Sequence, residues 1–426
     1  MNKRANTTRN SVFPHLGAAA LLGAAGLAAP AAAANWHWNA LSGAWSNSGN
    51  WLSGATPPDD AHARLGSLVG VQNSTVWINP FSSVTVADLT ITDGMTLRTN
   101  QGYFDVTGDT LVSGSNIVPG PFGTQQTFAS RILVEPVKGE SFRTANLTLS
   151  AGARMDFVGQ AFARVEGMAT LGAGTRVGGV GYFDFLGAGV TLRNDGVIRG
   201  ADGNGMWLRQ LGGGLYDLDG LSGDGALDLS APGGVALHIN GTSLADSFSG
   251  AITLARGSDL YMNLSGGWTA DANSHILALG GVSGLNASRI TGGPVSLGGH
   301  IHVLGPVAAI NVDSTSIDLL PSLHVELEQG GHATFGTHTS EVAIRGGNYH
   351  LGAGSVLRFF GDVTVQGGHF VAETDDFLNA VNFFSPSTWS GDVIIDGLGY
   401  FHDDVVVSGA TTIDARALAM EPELLL

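Results

Sequence analysis

Short runs of alternating apolar and polar residues, each closed by Gly, Asn, Asp or Ser, recur along the chain from about Val69 onward. Ser83–Thr92 (SVTVADLTIT), Ala145–Ser150 (ANLTLS) and Val363–Gln366 (VTVQ) show the pattern. Alternation with a period of two places one face of a strand in a core and the other in solvent. No comparably long run with helical periodicity stands out beyond the first 34 residues, so the chain reads as all-β. The runs also resemble one another. Gly346-Gly347-Asn348-Tyr349 returns as Gly367-Gly368-His369-Phe370, and Gly298-Gly299-His300 returns as Gly330-Gly331-His332. A serial β-sandwich would carry more Pro, longer polar loops and little self-similarity. Repetition at about 20 residues with drift predicts a parallel β-helix, or solenoid, whose corner loops vary in length.

Composition agrees with that prediction. The chain has 64 glycines, about twice the usual share. Coil corners often need φ > 0, which glycine adopts without a Cβ clash. A hydrophobic fraction of 43% against 13% charged residues is the reverse of a disordered stalk. One coil cannot bury its apolar face alone, but coils stacked at about 4.8 Å share a continuous core. Coils of roughly 20–25 residues predict about 15–20 of them, in a rod of roughly 70–100 Å. Strand twist leads us to expect right-handed winding.

The first residues have a separate logic. Lys3, Arg4 and Arg9 precede an apolar Ala/Leu/Gly stretch that ends in Pro30 and Ala31–Ala34. This is the three-part layout of a secretory signal peptide, with cleavage expected near Ala34–Asn35. The apolar stretch is short and glycine-rich for a membrane-spanning helix, and no spanning segment is expected in the mature chain. The expected location is therefore secreted or cell-surface. Without the leader, 16 Lys+Arg face 36 Asp+Glu, a formal charge near −20, and Lys138 is the only remaining lysine. Such a surface repels phosphate backbones and anionic lipid, which argues against nucleic acid as a partner. The absence of cysteine excludes disulfides, thiolate metal sites and cysteine nucleophiles.

Four of the eight tryptophans, Trp36, Trp38, Trp45 and Trp51, lie just after the leader. A solenoid exposes its terminal coil, so an aromatic-rich cap is expected there. Trp45 and Trp51 are also candidates for stacking on sugar rings. The boundaries that follow are a signal peptide over 1–34, a cap over 35–66, a solenoid over 67–415 and a C-terminal tail over 416–426.

Several of these stretches resemble one family. Gly43-Ala44-Trp45 followed by Asn50-Trp51, and then the turn Pro57-Pro58-Asp59-Asp60, resemble the start of bacterial surface proteins built as passenger-like β-helices. Leu221–Leu227 (LSGDGAL) and Ser247–Leu254 (SFSGAITL) are similar to the two elements of autotransporter-associated β-strand repeats. Asn194–Ile198 (NDGVI) is similar to a coil common in those passengers. The resemblance covers roughly 221–264 and the Trp motif, and it implies an extracellular parallel β-helix, structural or adhesive. Autotransporters finish in a membrane barrel, whereas this sequence finishes Glu421-Pro422-Glu423-Leu424-Leu425-Leu426. The expectation is a chain that is soluble once exported, or one that continues further.

β-Helices also include carbohydrate-active enzymes. Glycoside hydrolysis needs two carboxyls about 5–9.5 Å apart. If the chain were such an enzyme, Asp375, Asp376, Asp403 and Asp404 would be the acids to consider, near His369 and His402. The competing reading is that paired aspartates mark corners, where Asp bonds its own backbone. A polysaccharide lyase is disfavoured by the dearth of bases, with Arg193 and Arg199 the remaining candidates. His300 and His302, at i and i+2, share a strand face and could chelate a metal; His332/His338 and His350/His369 lie near coil spacing. Asp217, Asp219 and Asp224 form the best calcium candidate, in a Gly-rich acidic loop. No Gly-x-Ser-x-Gly elbow or phosphate-binding Gly-Lys-Ser/Thr loop is present. No complete catalytic site emerges. The leading expectation is an exported structural or adhesive β-helix whose partner is an extracellular glycan or surface protein. The alternative is a glycoside hydrolase on neutral glycans.

Overall fold

The alternating runs form strands, most of which pair in parallel with the strands one coil before and one coil after. A computed structural model describes residues 34–66, 74–119, 125–137, 139–186, 191–194, 197–199, 206–211, 226–229, 235–241, 247–248, 250–255, 257–264, 266–279, 287–305, 307–374, 380–408, 413–420 and 424–425. Within the unit Ala34–Leu426 the pairings fall into three parallel ladders, so that a coil is a triangle of short strands.

The first ladder begins Asn35–His37, His62–Leu65, Asp88–Ile91. Its later part runs from Ser247–Phe248 to Leu424–Leu425 in a nine-stranded sheet. The second passes through Thr96–Arg98, Arg131–Val134 and the start of Arg154–Val165 to Val393 and Ile413. The third begins with Ser83–Val86 on Tyr103–Val106 and ends with Leu398–Phe401 on Ala417–Met420. The second and third ladders belong to one 32-stranded sheet, because long strands such as Arg154–Val165 and Val393–Phe401 turn a corner without breaking. The last strands, Ile413–Met420 and Leu424–Leu425, continue the ladders, so coil pairing extends past residue 415.

The repeat seen in sequence is the coil repeat in one of its two instances. Asn348–Tyr349 lie directly beside His369–Phe370. By contrast His300 is on the second ladder and His332 on the third, so that Gly-Gly-His pair marks two different corners. Ala226–Leu227 and Ala251–Ile252, from the two resembling elements, are register partners.

The core is a set of columns. Phe335, Phe359, Phe383 and Phe401 stack at 5.7, 5.2 and 5.2 Å, and all four are buried. Each contributes about 1.5–3 kcal/mol by leaving water. Corners are fastened by buried serines that reach the neighbouring coil: Ser258 Oγ donates to the Leu229 carbonyl at 2.8 Å, Ser340 Oγ to Ser314 at 2.6 Å and Ser355 Oγ to Glu328 at 2.6 Å. Gly361 sits at φ +95°, with the Ser340 carbonyl where a Cβ would go. Only glycine fits that corner. The triangle is interrupted by an antiparallel hairpin, Ser115–Pro119 with Gln125–Ala129, inserted between a first-ladder and a second-ladder strand.

Candidate functional site on the outward faces

The cap tryptophans point inward. Trp38, Trp45 and Trp51 are 2%, 3% and 2% exposed. Trp51 meets Trp38 and Trp45 edge-on at 5.1 and 4.7 Å, and Trp45 meets Phe104 at 4.9 Å. The Trp51 indole N–H donates to the Trp45 carbonyl at 2.9 Å. These rings close the end of the core, and their faces are covered by one another. Trp45 also lines a depression of about 320 Å³ with Asp59 and Thr85.

Chemistry therefore resides on the outward sides of the ladders, where like side chains fall into columns. On the third ladder Phe162, Tyr182, Trp207, His238 and Tyr261 occupy successive rungs. Centroid separations are 4.5, 6.0, 3.6 and 4.2 Å, and the Trp207–His238 and His238–Tyr261 planes lie within 2° and 1° of parallel. Burial between these rings lowers the His238 pKa to about 4. Faces that stack on one another leave their edges outward, so this column stiffens the coil stack rather than offering a flat platform.

Next to it runs a column of charges. Asp105 accepts two hydrogen bonds from Arg143 at 2.8 Å each, and Asp184 accepts two from Arg209 at the same distances. Other ion pairs also join different coils: Arg98 with Glu135, Arg199 with Asp228, Arg289 with Asp259 and Arg345 with Asp318. Arg199, considered as a base, is thus held by a carboxylate. The side chain of Arg193 lies outside the described residues.

The second ladder carries two further columns. Thr96, Arg131, Arg154 and Arg176 follow one another rung by rung near the hairpin. Further along, His275, His300, His324, Asn348 and His369 do the same. His275–His300 and His300–His324 ring centres are 5.2 Å apart. Burial and the neighbouring His324 and His275 imidazoles hold the His300 pKa below its ordinary value. His302 lies beside Glu326 in register, and its Nε2 is 3.4 Å from Glu328 Oε1. The coil spacing of His350 and His369 does not bring them together, since His369 pairs with Asn348 and His350 with Val371. His332 is on the third ladder, and His338 packs edge-on against Phe360. Among the described residues no group of three His, Asp or Glu is placed to hold a metal ion.

Of the proposed acids, Asp403 and Asp404 are described and sit at a corner. Asp403 Oδ1 accepts from the Asp404 N–H at 2.8 Å, and the Asp404 carbonyl accepts from the Ser387 N–H at 2.9 Å. Asp403 thus bonds the backbone of the next residue at this corner. Asp375 and Asp376 lie outside the described residues, as do the calcium candidates Asp217, Asp219 and Asp224. An acidic grouping that sequence reading missed is found on the first ladder. Glu341 and Asp362 are register partners, and with Asp318 and Arg345 they line a depression of about 300 Å³. Its members come from three coils, and no sequence motif joins them.

Among the described residues no helix is long and apolar enough to cross a membrane. The part of the family resemblance that the structure carries is its architecture, a parallel β-solenoid with an aromatic cluster near its N-terminus. No protein-family model matches the chain, and no curated protein sequence matches it significantly.

Proposed function

We propose that the chain is exported, loses its leader near Ala34–Asn35, and serves outside the cell or on its surface as a structural or adhesive rod akin to autotransporter passengers. The observation that carries this reading is the coil-to-coil use of outward side chains. Ion pairs from Arg98–Glu135 to Arg345–Asp318 and the stacked rings from Phe162 to Tyr261 bridge neighbouring coils, as a stiff elongated element requires. Its working contacts are then made by the flat faces and the inserted hairpin. Protease treatment of intact cells, with a deletion strain compared in an adherence assay, tests the proposal. Cleavage without lysis and weakened adherence or altered surface integrity are expected. A chain protected in intact cells would sink it.

A second reading, a glycoside hydrolase, has one observation in its favour: Asp318, Glu341 and Asp362 share a depression. In register partners such as Glu341 and Asp362 the carboxyls start from backbones about 4.8 Å apart, near the separation that retaining hydrolysis uses. Arg345 neutralises Asp318 at 2.6 Å, and this leaves Glu341 and Asp362 as the pair to test.

A further inference from the structure

In a chain with a net charge of −17, one spot gathers positive charge. Arg131, Arg154 and Arg176 are direct neighbours in a parallel ladder, so their backbones are about 4.8 Å apart. Like charges on adjacent rungs repel, and the column is unfavourable unless anions are interleaved. One carboxylate is available: Asp156 stands 3.6 Å from Arg131 and 3.2 Å from Arg176. It serves the two outer arginines. Among the described residues no ion pair engages Arg154, which is exposed between them. The column thus carries more cationic charge than the protein itself neutralises.

Arg131 and Arg154 line a depression of about 220 Å³. The hairpin builds its far wall, contributing Thr127, Phe128 and Ala129, and Thr96 completes the lining. This depression combines two things a sugar acid needs. Guanidinium groups match a carboxylate with two parallel N–H bonds, and a half-buried aromatic ring offers an apolar surface for the C–H face of a pyranose. The hairpin is also the one described antiparallel pairing between strands longer than a single bridge. It departs from the coil at the place where the arginines begin.

We propose that the depression between the hairpin and the arginine column binds the carboxylate of an acidic sugar, such as a uronic or sialic acid, with Arg131 and Arg154 holding the anion and Phe128 the ring. This deepens the adhesive reading and rests on it.

The test is titration calorimetry on the mature chain with three probes: a galacturonate trisaccharide, the neutral galactose trisaccharide and a sulfated galactose trisaccharide. The acidic trisaccharide is expected to bind at least about tenfold more tightly than the neutral one. Loss of a charged hydrogen bond predicts that Arg154→Ala weakens it roughly tenfold to a hundredfold. Phe128→Ala should weaken all three probes. Because Arg154 has like-charged neighbours, Arg154→Ala should melt no lower than the parent. Arg154→Gln provides a second, bulk-preserving variant. Equal affinity for acidic and neutral probes, or binding unchanged in both Arg154 variants, overturns the proposal. A clear drop in melting temperature in both would make Arg154 structural and overturn it too. Preference for the sulfated probe would replace the carboxylate with a sulfate ester. Binding of neutral glycans alone, or failure of all three probes, would overturn the proposal and leave the adhesive reading to the adherence assay.

Discussion

Arg209 joins three rungs of the solenoid. Its guanidinium forks onto both oxygens of Asp184 at 2.8 Å and lies 4.2 Å from the ring centre of Tyr182 and 5.5 Å from that of Phe162. The Asp184 side chain is only 3% exposed, and among the described residues Arg209 is its ion-pair partner. Arg209→Ala would leave a buried carboxylate unpaired, at a cost of about 3–5 kcal/mol. Stability in a solenoid is local, and hydrogen exchange should accelerate in Arg176–Leu186 and Met206–Leu211 more than in distant coils. Arg209→Lys keeps the charge but loses the fork, and should fall between the two.

The ring column makes a pH prediction. His238 has its pKa lowered to about 4 by burial between Trp207 and Tyr261. A depressed histidine pKa means that the unfolded chain binds the proton more readily. Its contribution to stability is therefore complete above the ordinary value near 6.5 and is lost as pH falls toward 4. Solvent screening of this half-buried group limits the effect to on the order of 1–2 kcal/mol. Histidine ring NMR resonances should show one imidazole titrating near pH 4, absent in His238→Phe.

The cap is expected to be structural in the first instance. Trp51→Ala removes an edge-on partner of both Trp38 and Trp45 and a buried hydrogen bond. A loss of about 3–5 kcal/mol follows from the cavity. Exposure of the first coil's edge should also promote association, visible by light scattering alongside the thermal melt. If Trp51→Ala melts like the parent, the capping role is wrong.

Corner geometry can be tested with one methyl group. Gly361→Ala forces an L-residue to φ +95° and drives a Cβ into the Ser340 carbonyl. The expected cost is about 1–3 kcal/mol. Gly114, far from Gly361 and also at positive φ but with open space around it, should suffer less from the same change.

Much of the fold is legible in the sequence because strand alternation and corner glycines are local signals. The Gly-Gly-x repeat at Asn348 and His369 is a true coil step, since those residues are register partners. The His300/His332 pair misleads because corners on different faces use the same glycine chemistry. The tryptophan cluster is also legible as an aromatic cap, but its burial is not: that follows from edge-on packing against Phe104, a residue two coils away in the stack. Columns are harder still. Arg131, Arg154 and Arg176 recur at coil spacing, but only the register shows that they share one face, and the hairpin over 115–129 separates them in sequence from Thr96, the rung before. Glu341 and Asp362 likewise meet through register and not through any motif.

The most direct measurement is a glycan array with the mature chain, in which every retained glycan is then incubated with the protein and analysed for cleavage. Retention without product is expected, with Glu341→Gln and Asp362→Asn binding as the parent does. Release of a cleaved product, abolished by either substitution, would contradict it and make the chain an enzyme.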